Sequence, residues 1–84
     1  MLYTVKLRRA ARRSLARIEK DIHQTITASL RCLETNARPH GVLKLKGSDL
    51  WRIRVGSYRI VYHIDDDQKV VTVLRVGHRW EVYR

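Results

Sequence analysis

Among its 84 residues the chain has no phenylalanine, one proline, four glycines and one cysteine. A lone Cys32 excludes an internal disulfide, which suits a reducing compartment. On the helix expected around it, Cys32 reads as a buried structural thiol. No apolar stretch is long enough for a signal peptide or a membrane span, so a cytoplasmic protein with no membrane partner is expected. The sequence also lacks a glycine-rich phosphate loop, zinc-ligand spacing and paired acids suited to magnesium. Asp65, Asp66 and Asp67 are consecutive and would point in different directions from a turn. No metal or other cofactor is therefore expected. Negative charge is scarce as well: 8 Asp and Glu stand against 18 Lys and Arg, for a net charge of +10. A folded domain with that balance suits polyanions, with nucleic acid first, an acidic protein second and a membrane surface third.

The pattern of apolar residues predicts one α+β domain over residues 1–84. Residues 2–7, "LYTVKL", read as a strand. From Arg8 the period changes: Leu7, Ala11, Leu15, Ile18 and Ile22 fall at steps of three and four, one face of a helix. Asp21 is placed to cap a second helix that carries Ile22, Ile26, Leu30 and Leu33 on one face. "NARPHG" ends it, with Asn36 able to take a left-handed conformation and Pro39 unable to continue. Strands follow at 42–46, 50–55, 58–64 and 69–76, broken by "GSD", "GS" and "DDDQ". "KVVTVLRV" is apolar on both faces, as an interior strand would be. The order β-α-α-β-β-β-β implies two N-terminal helices packed on one face of a mostly antiparallel sheet.

Pairing rules then place the cations. A two-residue turn at Gly56–Ser57 sets Arg54 opposite Arg59 on one sheet face, and Arg52 shares that face two residues away. Read as a three-residue turn, "GSD" sets Lys44 opposite Arg52, with Lys46 beside it. The other face carries Leu45, Trp51, Ile53, Val55, Tyr58 and Ile60, where the helices belong. Like charges directly opposite one another are destabilising, a cost that an anion lying across the sheet would offset. On the first helix Arg9, Arg13 and Arg17 fall four apart, as do Arg8 and Arg12. Arg9, Arg12 and Arg13 thus form a second candidate surface for a phosphate backbone.

RNA cleavage needs no metal, because the ribose 2′-OH is an internal nucleophile on the adjacent phosphorus. The protein must orient it, stabilise the added negative charge and manage two protons. Arginine forks suit the charge. Candidates for the protons are His78, His63 and Tyr83. His23 and His40 read as incidental, Trp51 as core, and Trp80 as core or a stacking surface.

The text "LKLKGSDLWRIRVGSYRIVYHI" at 43–64, followed by "VLRVGHRWEVYR" at 73–84, resembles the RelE/ParE superfamily of toxins from type II toxin–antitoxin systems. The resemblance implies a fold similar to microbial ribonucleases. It also implies metal-independent cleavage of messenger RNA in the ribosomal A site, leaving a 2′,3′-cyclic phosphate, and a cognate acidic antitoxin as partner. In the RelE branch, basic residues occupy the places of Arg52 and Arg54, arginines those of Arg59 and Arg79, and a tyrosine that of Tyr83. Lys46 and His78 match further basic positions. Lysines stand at Arg52 and Arg54 in the best-known members, and arginine is no ordinary general base. That departure moves the base elsewhere, with His78 the first candidate, or leaves cleavage resting on charge stabilisation. The alternatives are a ParE-like gyrase inhibitor, a nucleic-acid-binding module without chemistry, and a decayed toxin that still binds its antitoxin.

Overall fold

The computed structural model describes residues 2–78. Seven elements follow in chain order: β1 (Thr4–Leu7), α1 (Arg9–Ala16), α2 (Lys20–Thr35), β2 (Leu43–Lys44), β3 (Leu50–Val55), β4 (Tyr58–Asp65) and β5 (Val70–His78). The sheet order is β1-β5-β4-β3-β2. β1 runs parallel to β5 and the other neighbours are antiparallel. β5 is thus an interior strand, as its two-sided apolar character predicts.

Both helices lie on one face because their apolar stripes have the same target. Ala11 of α1 and Ile26, Leu30 and Leu33 of α2 form one core with Ile60, Tyr62, Ile64, Val71, Val73 and Val76. Tyr62 is fully buried at its centre. Its hydroxyl donates to the Ala37 carbonyl at 2.8 Å, tying the sheet to the exit of α2. Burial pushes this phenol up to about 12, against a smaller downward pull from Arg38. A second tie lies at the surface. Arg38 makes a bidentate pair with Asp66 at 3.2 and 2.9 Å, and the Tyr3 hydroxyl donates to the same carboxylate at 2.6 Å. Arg38 also sits over the Trp51 ring, 5.0 Å from its centroid.

Several local expectations are corrected. α2 starts two residues earlier than an Asp21 cap implies, with Glu19 at the N-cap; Asp21 lies inside the first turn, where its charge favours the helix dipole without capping. Asn36 is extended, at φ −148° and ψ 100°, because its side chain accepts the Arg38 N–H at 3.1 Å and organises the next turn instead. Cys32 is exposed. One residue before Leu33, it is turned about 100° from that buried side chain and further from Ile26 and Leu30. β2 is shorter than residues 42–46 because the chain leaves the sheet after Leu45, whose N–H still reaches the Leu50 carbonyl at 2.8 Å.

Two irregularities decide which side chains share a face. The β2–β3 connection is a four-residue loop, Lys46–Asp49, with Gly47 at φ +76°. The Ser48 hydroxyl braces it, donating to Leu45 O and accepting the Leu50 N–H. The extra residue shifts the register by one, so Leu43 faces Arg52 and Lys44 faces Trp51. In β5, Val61 pairs with Arg75 but Tyr62 pairs with Val73, which leaves Leu74 as a bulge. Val71 and Val73 point into the core before it. After it the alternation restarts, sending Val76 inward and Arg75 outward.

Candidate nucleic-acid interface

The sheet face turned away from the helices is built in rows. At the β3–β4 hairpin end, Arg54 pairs with Arg59 and Arg59 with Gly77. The tight turn at Gly56 (φ +60°) and Ser57 sets this row, as the sequence predicts. The next row is Arg52, Val61 and Arg75, and the third is Leu50, His63, Thr72 and Lys6. The first two rows hold four arginines and no acid. Asp65 lies on this face at the far end of β4, where it accepts the Gln68 N–H at 3.0 Å.

These arginines differ in setting. Arg59 is 5% exposed, and its Nη1 donates to the Tyr58 carbonyl at 3.1 Å and the Gly56 carbonyl at 3.5 Å. Arg54 and Arg75 are exposed and Arg52 is half-buried. Arg38–Asp66 is the sole ion pair among the described residues, and no described carboxylate pairs with Arg52, Arg54 or Arg75. Guanidinium forks in that state are suited to phosphate oxygens, which they bind in the plane and two at a time.

The structure divides the remaining candidates. Lys44 is corrected away from Arg52 by the register shift, and Lys46 lies in the exposed β2–β3 loop. Arg9, Arg12 and Arg13 are exposed on α1, on the opposite side of the sheet from the arginine rows. His78 pairs directly with Tyr58, on the helix side. Its ring stacks on the tyrosine at 4.3 Å between centroids and 30° between planes. Both rings line a cavity of about 490 Å³ with Glu19, Ile22 and Val55. His63 is half-buried on the arginine face, diagonal to Arg52. Arg79, Trp80 and Tyr83 lie outside the described residues. Arg75 and Lys6 are on the face although neither stood among the sequence-derived candidates. Strict alternation along "KVVTVLRV" turns Arg75 toward the core, and nothing in that text announces the bulge. Lys6 needed the β1–β5 pairing.

Residues 5–83 match the family model described as the ParE toxin of type II toxin–antitoxin system, parDE. Toxin RelG of Mycobacterium tuberculosis is 32% identical over 87 aligned positions, covering 100% of this chain and 99% of the relative. The archaeal RelE–RelB complex from Pyrococcus horikoshii contains a chain similar in fold, with a TM-score of 0.85 at 28% identity, covering 98% of this chain and 100% of that one. A chain of the RelBE2 toxin–antitoxin complex from M. tuberculosis gives a TM-score of 0.82 at 29% identity, covering 94% and 100%.

Proposed function

Because the chain belongs to the RelE/ParE superfamily and is a toxin of a type II toxin–antitoxin system, we propose that it is a ribosome-dependent mRNA endoribonuclease. The observation that carries this reading is the gathering of Arg52, Arg54, Arg59 and Arg75 in two adjoining rows on the sheet face turned away from the helices, with no acid among the described residues of those rows. A phosphodiester lying there meets charge where its transition state gains charge. In the proposed step the 2′-oxygen bonds to phosphorus and the bond to the 5′-oxygen breaks, leaving a 2′,3′-cyclic phosphate. A base takes the 2′ proton and an acid supplies one to the 5′-oxygen. Arg52, Arg54, Arg59 and Arg79 bind and neutralise the phosphate, with Tyr83 in proton transfer or base stacking. For the 2′ proton, His63 replaces His78 as first candidate, because His63 shares the arginine face and His78 lies behind it.

The mechanism draws on no cofactor. The partner is a cognate antitoxin with an acidic segment suited to the basic face, a reading supported by similarity to toxins solved with RelB-type partners. The test is cleavage of a defined mRNA with and without programmed ribosomes, with the ends mapped. Ribosome-dependent cuts at A-site codons, ending in cyclic phosphate and lost in Arg59→Ala/Arg79→Ala, are expected. Intact cleavage in that double variant would overturn the arginine assignment. The ParE description of the matching family model favours one second reading, gyrase inhibition. Gyrase-linked DNA breaks without mRNA cuts would select it.

A further inference from the structure

The β5 bulge places a cation where regular alternation would have put it in the core. Arg75 emerges in the row of Arg52, two strands away, about 10 Å between backbones. Lys6, on the parallel neighbour β1, occupies the next row through its pairing with Thr72. Successive rows on one face are about 7 Å apart along the strands. Arg75 and Lys6 are both exposed, and neither has a hydrogen-bond or ion-pair partner among the described residues. The cations therefore continue past the arginine pair at the hairpin end, running obliquely across β3, β5 and β1.

We propose that Arg75 and Lys6 extend the arginine site into a track for a single-stranded polyanion, gripping phosphates beyond the one that reacts. The proposal rests on the reading of this face as an RNA site, and it adds residues and a direction to it. Arg52 and Arg54 meet the strand near the hairpin. Arg75 and Lys6 hold its continuation toward the β1 edge. They are positioning residues, since neither is placed at the reacting phosphate.

The test measures binding of a short single-stranded 2′-O-methyl RNA, which cannot be cut through its 2′ position, across a series of salt concentrations. Each phosphate contact on a single strand adds about 0.7 to the slope of log K against log salt. Arg75→Gln and Lys6→Gln should each lower that slope by about 0.7. Arg31→Gln removes the same charge from the exposed side of α2 and should leave it unchanged. Thermal unfolding of each variant shows whether the fold is intact, as expected for exposed sites. Unchanged slopes for Arg75→Gln and Lys6→Gln, or an equal loss in Arg31→Gln, would overturn the track. Cleavage by the wild-type protein is scored separately. Lowered slopes without any mRNA cleavage would remove the nuclease reading and leave the track standing. Cleavage with unchanged slopes would do the reverse.

Discussion

Asp66 holds one carboxylate against two donors, Arg38 and the Tyr3 hydroxyl, and they pull its pKa down to about 2, the Arg38 hydrogen bonds most strongly. The folded state thus favours the ionised form. Its contribution is present above the ordinary carboxylate pKa near 3.8 and is lost as pH falls through about 2. Tyr62 works at the other end. Burial raises its pKa to about 12, so the unfolded chain ionises first and stability declines as pH rises from about 10 to 12. Urea midpoints across pH should fall on both limbs. Asp66→Asn should flatten the acid limb, and tyrosinate absorbance should rise with unfolding on the alkaline one. An acid limb unchanged in Asp66→Asn would remove this account. Neither role was legible in the sequence, where Asp66 was one of three like residues in a turn and Tyr62 one of four tyrosines. The partners that distinguish them arrive from Tyr3, Ala37 and Arg38, distant in the chain. Arg54 and Arg59 were legible because two turn residues fix their pairing.

At the scale of elements, the bulge and the first helix make separate predictions. Deleting Leu74 removes the extra residue and joins Val73 to Arg75, so regular alternation keeps Arg75 outward and Val76 inward. The variant should therefore keep a cooperative urea transition and an exposed Arg75; loss of cooperativity would mean that the bulge itself is needed to seat β5. α1 is itself poorly favoured. It has no acid in its first turn, no side-chain cap, and arginines stacked at four-residue steps, all unfavourable for a helix. Arg9→Glu should therefore stabilise the protein by roughly 0.5–1 kcal/mol, through the dipole and a new pair with Arg13. The same change should weaken RNA binding, measured by titration at low salt. A stabilised variant with undiminished affinity would mean that the helix arginines are only a solvated face. The helices and the β3–β4 hairpin were legible because each has strong periodicity or a short, type-specific turn. The β2 register and the bulge were not, since each turns on one residue whose accommodation depends on neighbouring strands.

On the scale of the whole molecule, positive charge occupies both sides of the sheet. The arginine rows lie on the side away from the helices and Arg9, Arg12 and Arg13 on the helix side. One extended strand cannot touch both without passing around an edge, so the two surfaces suit separate segments of nucleic acid, or nucleic acid on one and an acidic protein on the other. Among the described residues no helix is long and apolar enough to cross a membrane. The β-α-α-β-β-β-β order and the placing of both helices on one face were legible because a single sheet with one apolar side admits few arrangements. The parallel pairing of β1 with β5 was not, because it joins the two ends of the sequence. That pairing also bears on synthesis. Thr4 cannot meet Val70, nor Leu7 meet Val73, until nearly all of the chain has left the peptidyl-transferase centre. The nascent polypeptide therefore carries its arginines out of the tunnel before the sheet that aligns them can close.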